Sequence, residues 1–186
     1  MNTAPLPRII TARTVLKLLE PREANLMSRY RIENRSHLTQ WEPTRSRQFY
    51  TEHFWQAQLR TAIREFRLGA SLCLVILNKD ENEVMGVCNY TNIIRGTFEA
   101  CHLGYGLAEK HQGKGLMFET LTHSTRYVFD EMKLHRIMAS YLPRNNRSGA
   151  LLDRMGFEVE GKAKKYLKIN GVWEDHILTA LTNPAG

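Results

Sequence analysis

The alternation of apolar and polar residues predicts three consecutive strands in the middle of the chain, at residues 72–77, 84–94 and 97–108. A polar turn separates the first two, and Arg95-Gly96 separates the second from the third, whose apolar part begins at Ala100. Turns as short as these join antiparallel neighbours, so we expect the three strands to lie side by side in one sheet.

The first third of the chain predicts one strand followed by helices. Residues 13–19 are apolar and β-branched, which is typical of a strand, and Pro21 ends it. Residues 22–35 show a helical period, and residues 37–43 then predict a loop. The apolar face of this first helix consists of Ala24, Met27 and Tyr30.

A second helix is predicted over residues 46–68. Ser46 is its candidate N-cap, and Gly69 suits the residue that ends it. Its apolar residues share one face, and we expect that face to pack on the sheet. The opposite face carries arginines at positions i, i+4 and i+7, namely Arg60, Arg64 and Arg67.

In the second half, helices and strands alternate. A third long helix has one face formed by Met117, Leu121, Ser124 and Val128, at i, i+4, i+7 and i+11. It leads into a strand at residues 136–141. Because a helical crossover separates this strand from residues 97–108, we expect the two strands to pair in parallel.

The end of the chain predicts a helix and a hairpin. Asn145 is a good N-cap for a helix that ends at Met155-Gly156, where glycine suits the left-handed residue after a helix. Residues 157–169 and 172–181 then flank Asn170-Gly171, which is the strongest two-residue hairpin signal.

Composition is typical of one globular domain. The chain has 186 residues, of which 42% are hydrophobic and 24% charged, so we expect a single domain over residues 1–186 with its core at about 8–182. No run of 18 apolar residues occurs, and residues 1–7 lack the blocks of a secretory signal, which predicts a cytoplasmic protein without a membrane span. Three cysteines lie in predicted strands, where we expect buried reduced thiols and no metal site: Cys73, Cys88 and Cys101.

The net charge of +7 is concentrated in the first third of the chain. Residues 1–70 hold 12 Lys and Arg against 6 Asp and Glu, and nearly all of these cations are arginine. The planar guanidinium group binds phosphate better than an ammonium group does. This region therefore predicts either a surface that contacts RNA or a basic surface in contact with solvent alone.

A glycine-bearing turn, Gln112-Gly113-Lys114-Gly115-Leu116-Met117, joins a strand to a helix. Its glycines remove Cβ atoms near the backbone, and the first helical turn offers unpaired N–H groups to an anion. The turn lacks the hydroxyl of a Walker A loop and does not continue as a Gly-x-Gly-x-x-Gly fingerprint. It predicts either a pyrophosphate site or a turn without a ligand.

This turn fits the Gln-x-x-Gly-x pattern of the GCN5-related N-acetyltransferases (GNAT), and the predicted order of elements resembles their fold. Further segments resemble the Rim-type ribosomal-protein-alanine N-acetyltransferases within that superfamily, over nearly the whole chain. These segments are Trp41-Glu42-Pro43, Leu103-Gly104-Tyr105, and residues 92–98, 135–139, 145–149 and 175–181. The resemblance implies an α+β fold in α/β/α layers, with a mixed sheet of about seven strands, mostly antiparallel, and a splayed parallel pair at the coenzyme A site.

The resemblance also implies the substrates. Acetyl-CoA would be the donor, and the acceptor would be the α-amine of an N-terminal alanine in a small-subunit ribosomal protein. Main-chain amides of Gln112, Gly113, Lys114, Gly115, Leu116 and Met117 would hold the pyrophosphate. The pantetheine arm would pair with Tyr105, Gly106 and Leu107, and Asn145 and Ser148 would reach the pantetheine and the sulfur.

The catalytic candidates are Glu42 and Ser148. An α-amine with a pKa of about 7.7–8.0 costs only about 1 kcal/mol to neutralise at pH 7, whereas a lysine costs more than about 4 kcal/mol, so a weak base suffices. Glu42 is the candidate base, directly or through water. Ser148, or alternatively Tyr166 or Tyr141, is the candidate proton donor to sulfur, and a backbone N–H near Leu107 would polarise the carbonyl.

Four other positions bear on this resemblance. Met117 stands where the superfamily usually has Gly or Ala, and Leu167 stands where the related serine-specific branch has a glutamate. His111, which adjoins the turn, and His135, which begins a predicted strand, are expected to be structural residues or contacts on the adenine side, since no histidine spacing suggests a metal site.

Two other functional classes stay open. Arg45 and Arg47, with the arginine face of the second helix, predict docking on ribosomal RNA, so the chain could be chiefly a ribosome-assembly factor with an accessory coenzyme A site. Alternatively, it could acetylate a small-molecule amine. A cationic substrate of that kind calls for an acidic pocket, which the basic first third disfavours.

Overall fold

An eight-stranded mixed sheet in the order β1-β2-β3-β4-β5-β6-β8-β7 runs through the computed structural model, which describes residues 5–185. Residues 1–4 and 186 lie outside that range. The predictions about a leader segment at residues 1–7 and about the ends of the domain therefore fall partly outside the described residues. The strands are β1 (Arg8–Ile10), β2 (Val15–Lys17), β3 (Leu72–Leu77), β4 (Val84–Ile94), β5 (Ala100–Leu107), β6 (Arg136–Tyr141), β7 (Glu158–Ile169) and β8 (Val172–Thr182). The helices are α1 (Ala24–Glu33), α2 (Arg35–Thr39), α3 (Glu52–Arg67), α4 (Leu116–Asp130) and α5 (Asn146–Arg154).

The pairing of the strands confirms the predicted topology. β3, β4 and β5 are antiparallel neighbours, β5 and β6 are parallel, and β7 and β8 form the predicted hairpin. Both turn residues of that hairpin have positive φ, 43° at Asn170 and 85° at Gly171. The described residues contain eight strands where about seven were expected. The additional strand is β1, a short segment that pairs with β2 over only three residues.

Three predictions in the first third were wrong. The loop predicted at residues 37–43 begins later, because α2 extends to Thr39. The second long helix begins at Glu52 instead of residue 46: Ser46 makes no cap hydrogen bond, whereas the Thr51 hydroxyl accepts the Phe54 N–H at 3.3 Å. Residues 47–50 form a 3₁₀ turn that buries Phe49 against Trp55. Ser46 and Thr51 lie five residues apart and both can cap a helix, and the packing of Phe49 selects Thr51 as the cap.

The central strands of the sheet are buried on both faces, whereas the edge strand β7 is mostly exposed. One face packs on α4 and α5, and all four predicted inward residues of α4, including Leu121 and Ser124, are buried. The opposite face packs on α1 and α3 through a second cluster around Tyr30 and Val87. Successive strand residues point to opposite faces, so β3 alternates between the two clusters. Among residues 5–185, no helix combines the length and the apolar character needed to cross a membrane.

Candidate active site

The parallel pair at the centre of the sheet splays apart. β5 and β6 pair only up to Leu103 and Ala139, after which β6 continues beside β8 and the end of β5 pairs with β4 alone. The Gly106 carbonyl lies against Gly86 of β4, and the Ala108 N–H donates to Met85 of the same strand. Because backbone groups alternate between the two edges of a strand, the N–H and carbonyl of Leu107 face the gap. This free edge can pair with an extended ligand.

The glycine-bearing turn follows directly after this edge. Gly113 and Gly115 both have φ of 72°, and Gly115 is the N-cap of α4. In the described part of the chain, none of the six consecutive N–H groups from Gly113 to Phe118 donates to a protein acceptor. Six orphan donors at a helix N-terminus fit the pyrophosphate of coenzyme A, whereas a simple turn would pair some of them.

An arginine from the first hairpin fixes the shape of this turn. Arg13 Nη1 donates to the Lys114 carbonyl at 2.8 Å, and Arg13 Nε donates to Glu119 Oε2 at 2.6 Å. Because the Lys114 carbonyl is bound to Arg13, the turn is held in the orientation in which its N–H groups point away from the protein. Burial alone would raise the pKa of Glu119, but hydrogen bonds from Thr11 and Arg13 outweigh it and lower that pKa to about 2.

The Gln112 side chain spans the mouth of the gap. Its Oε1 accepts from Arg147 Nη1 at 2.6 Å, and its Nε2 lies 2.7 Å from His37 Nε2. Gln112 thereby joins α5 to α2 across the turn. His111, whose role was expected to be structural or on the adenine side, pairs with Glu83 at 2.8 Å.

A pair of hydroxyl groups lies on the α5 side of the gap. Ser148 Oγ is 2.7 Å from the Tyr105 hydroxyl, and Asn145 Oδ1 caps α5 by accepting the Ser148 N–H at 3.2 Å. Burial raises the pKa of Tyr105 to about 12, so the phenol keeps its proton at neutral pH and can donate to Ser148. The next residue, Gly149, packs directly against Tyr141: a Cβ there would lie 2.9 Å from the Tyr141 ring.

The gap is part of a cleft of about 1390 Å³, which is lined by the glycine-bearing turn and α5 on one side and continues to Glu42 on the opposite side. Its floor contains Gly104 and Gly106 of β5, and one wall contains Glu42. Glu42 Oε1 accepts from Arg31 Nη1 at 2.8 Å, and its Oε2 lies 3.5 Å from Arg45 Nη2. The side chain of Arg31 is only 7% exposed, so this ion pair is built into the wall.

Three separate segments border the Glu42 side of the cleft, and hydrogen bonds join them. The Asn170 N–H donates to the Glu42 carbonyl at 3.0 Å. Arg144 donates to Glu174 Oε1 at 2.9 Å and to the Gln40 carbonyl at 3.3 Å, and its guanidinium lies 5.6 Å from the centre of the Trp41 ring. The hairpin therefore closes over the cleft from the side opposite α1.

The two atypical positions have different surroundings. Met117 is 8% exposed and packs into the core under the sheet, so the larger side chain is directed away from the turn. Leu167 is 43% exposed at the border of the cleft, where it carries no polar group. Tyr141 and Tyr166, the alternative donors, also line the cleft. Cys88 and Cys101 are buried free thiols as predicted, but Cys73 is only partly buried.

Sequence reasoning missed three residues of this site. Arg13 and Arg144 act over separations of about one hundred residues, for which one sequence gives no signal. His176 was missed because it reads as one of several polar residues in a strand, although the structure buries it in the cleft wall.

Comparison with known proteins agrees with this geometry. Residues 13–158 match the acetyltransferase (GNAT) domain family. The chain is 46% identical over 183 residues to the [ribosomal protein uS5]-alanine N-acetyltransferase of Escherichia coli, covering 98% of this chain and 94% of that protein.

Two crystal structures have the same fold. The ribosomal-protein-S5-alanine acetyltransferase of Vibrio fischeri is 38% identical with a TM-score of 0.92, and the match covers 96% of this chain and 97% of that one. RimJ of Mycobacterium smegmatis, solved with CoA-disulfide, is 29% identical with a TM-score of 0.87, covering 97% and 88%. By sequence and by fold, the chain belongs to the GNAT family of acetyltransferases, enzymes that use acetyl-CoA as the donor.

Proposed function

We propose that this enzyme acetylates the N-terminal α-amine of a small-subunit ribosomal protein that begins with alanine. The observation that carries the proposal is the 46% identity, over nearly the full length, to an enzyme named for that reaction on uS5. The cleft supports it, because it extends past the donor side to a border joined by Asn170, Glu42 and Arg144, where an acceptor would bind. With such an acceptor, the reaction would take place in the cytoplasm.

On the donor side, each group of residues has a separate task. The N–H groups from Gly113 to Phe118 would hold the pyrophosphate. The Gln112 N–H, which the sequence also suggested, is excluded because it donates to the Glu109 carbonyl at 3.1 Å. The free edge of Leu107 would pair with the pantetheine arm. The bound donor supplies an activated acetyl group as a thioester. Tyr105 would donate to Ser148, and Ser148 would pass a proton to the leaving sulfur. A thiol has an ordinary pKa of about 8.5, so this proton contributes modestly.

On the acceptor side, the wall residues orient the amine. Glu42 lies at the cleft with both carboxylate oxygens engaged by guanidinium groups, so its main contribution would be to attract the cationic amine and order the water beside it. The α-amine needs little help to lose its proton near neutral pH. A lysine side chain would need more, and Glu42 on the acceptor side of the cleft is already engaged by two arginines.

The test combines labelled acetyl-CoA with purified ribosomal proteins. Intact-mass measurement should find one acetyl group on a single small-subunit protein whose N-terminal residue is alanine. A synthetic peptide of that N-terminus should be a substrate, and the same peptide with a blocked N-terminus and an internal lysine should not. Preferred acetylation of the lysine or of a small amine would contradict the proposal.

We further propose that the arginine face of α3 docks the enzyme on ribosomal RNA. Arg60, Arg64 and Arg67 are exposed on one side of the helix, without a salt bridge to any described carboxylate, and Arg47 is exposed nearby. Arg45 differs from the expectation, because it stacks on Phe49 at 4.6 Å and contacts Glu42. It therefore belongs to the wall of the cleft.

Charge reversal of this face separates docking from catalysis. The triple change Arg60→Glu, Arg64→Glu, Arg67→Glu should abolish salt-sensitive binding to ribosomal subunits and leave the rate on a free peptide unchanged. Reversal of Arg126, an exposed residue of α4 paired with Asp130, is the control. Association that survives both the triple change and high salt would exclude the docking surface, and with it the assembly-factor alternative.

A further inference from the structure

His176 of β8 is a buried imidazole in the acceptor half of the cleft. Ile137 and Ala139 of β6 face the core under α4, so Ser140 points to the opposite face, as does its partner Leu178 of β8. His176 lies two residues before Leu178 and therefore shares that face. The residue is only 3% exposed, yet it lines the cleft.

In the neutral His176 ring, the backbone fixes which nitrogen carries the hydrogen. Nδ1 lies 3.1 Å from the Glu174 carbonyl, which can only accept a hydrogen bond, so Nδ1 carries the hydrogen and Nε2 has a free lone pair. Nε2 has no hydrogen-bond partner among the described residues. Unlike the fully buried unpaired atoms of the described chain, it is accessible to solvent. It therefore reaches the surface of the cleft.

The surroundings of the ring favour a base over a metal ligand or an ion pair. The Tyr166 ring of β7 lies 5.7 Å from it and restricts its rotation. Glu174 is held by Arg144, and Asp175, on the other face of the strand, is held by Lys162. Glu42, on the facing wall, is held by Arg31 and Arg45. His176 thus combines an oriented ring with an acceptor atom that no described residue occupies.

We propose, on the basis of the function proposed above, that His176 is the general base of the acetyl transfer. The amine nitrogen forms a bond to the carbonyl carbon of the thioester, and the carbon–sulfur bond breaks. Nε2 of His176, directly or through one water, takes the proton that the nitrogen loses and later releases it to solvent. The sulfur gains its proton from Ser148, which recovers one through Tyr105 and solvent.

A second histidine, His102 of β5, lies on the same face but lacks this arrangement. Its Nδ1 is buried without a partner in the described residues, so nothing fixes which ring nitrogen carries the hydrogen. Its backbone lies beside the last paired residues of β5 and β6, at the closed end of the gap. Parallel replacement of the two histidines therefore distinguishes an oriented base from a nearby imidazole.

The decisive variant is His176→Asn, because the shorter amide can still donate to the Glu174 carbonyl but has no atom in place of Nε2. It should keep the thermal stability and the acetyl-CoA affinity of the unaltered enzyme. Its kcat on an N-terminal alanine peptide should fall about 100-fold or more, and the deficit should shrink as the pH rises from about 6.5 to about 9. His53→Asn, at an exposed position of α3, should leave the rate unchanged.

Other results would overturn the assignment. A His176→Asn enzyme within about threefold of normal activity would exclude His176 as the base, as would an equal loss in His102→Asn. Should His176→Asn not fold, ¹⁵N NMR of the histidine rings in the unaltered enzyme decides instead, since a hydrogen on Nε2 at neutral pH would exclude it. If the unaltered enzyme acetylates no N-terminal amine, the proposed function fails as well, whereas a failure of this inference alone leaves that activity intact.

Discussion

The two halves of the cleft are built from different parts of the polypeptide. On the proposed donor side, the groups available to a ligand are backbone N–H groups of the glycine-bearing turn and the free edge of β5. On the proposed acceptor side, they are side chains, which are held by contacts between distant segments, such as Arg31 with Glu42 and Arg144 with Glu174. The donor is common to the family, so backbone groups, which every sequence provides, suffice to bind it. Discrimination among acceptors depends on side chains, which substitutions can alter.

The largest effect is expected where the backbone itself is altered. Gly113→Val places a β-branched residue at a φ of 72° and a side chain beside the orphan N–H groups. Each charge-assisted hydrogen bond contributes about 1.5–3 kcal/mol, so losing two should weaken acetyl-CoA binding by about 100-fold or more. Isothermal calorimetry measures this change.

Gly69→Val is the matched control for that prediction. Gly69 has a φ of 71° and, like Gly113, no atom within 4 Å of a built Cβ, but it ends α3 far from the cleft. Its replacement should lower the melting temperature and leave the affinity for acetyl-CoA unchanged. Equal loss of affinity in both variants would mean that strain, and not the ligand site, explains the first result.

A smaller effect is expected from removing the side chain that holds the turn. Arg13→Met removes the side-chain hydrogen bonds to the Lys114 carbonyl and to Glu119 Oε2, so the peptide planes of the turn can rotate and the affinity for acetyl-CoA should fall about 20-fold. Arg126→Met, at an exposed ion pair of α4, should have no effect. If Arg13→Met binds the donor normally, the turn keeps its shape without this anchor.

The hydroxyl pair should affect turnover more than binding. Ser148→Ala and Tyr105→Phe should each lower kcat about 10-fold, with KM for acetyl-CoA changed less than about threefold, since a thiolate leaves with little assistance. Because Tyr105 acts through Ser148, the double variant should be no slower than either single one. Additive losses in steady-state kinetics would mean that the two hydroxyls act independently.

On the acceptor side, the effect of one border contact should be smaller again. Arg144→Met loosens the connection between the hairpin and Gln40, and it should raise KM for the peptide about fivefold without changing kcat or the affinity for acetyl-CoA. Arg22→Met, an exposed change outside the cleft, is the control. An effect on donor affinity would contradict the separation of the two halves.

The smallest effect concerns stability and pH. The pKa of Glu119 is lowered from 4.5 to about 2, so its ion pair stabilises the fold fully above about pH 4.5 and loses this contribution as the pH falls towards 2. Glu119→Gln should therefore be less stable than the unaltered protein at pH 7, by about 1 kcal/mol. Urea unfolding at several pH values should show the two converging below pH 4.5, and a constant difference would contradict this.

The sequence predicted the donor half well because its signals are local. The bounds of β3, β4 and β6 were right, since each is a continuous apolar run between polar turns. The Asn145 cap, the Asn170-Gly171 turn and the inward face of α4 likewise depend on residues within a few positions of one another. The glycine-bearing turn belongs to the same class.

The acceptor half could not be predicted in this way. Glu42 was recognised as a candidate, but its partner Arg31 and the backbone contact to Asn170 come from other elements. The choice of Thr51 over Ser46 as the cap of α3 depends on the burial of Phe49, which is a tertiary effect. Interactions of this kind have no periodicity, so one sequence does not contain a pattern for them.

Gly149 has a further consequence for the way this site can vary. Its hydrogen atom is all that separates the first turn of α5 from the Tyr141 ring, because any Cβ would approach that ring to 2.9 Å. A methyl group at position 149 would push α5 outward and so move Ser148 away from Tyr105. The spacing between the proposed catalytic hydroxyl of Ser148 and a bound thioester would therefore be set by a glycine that has no part in the proposed chemistry.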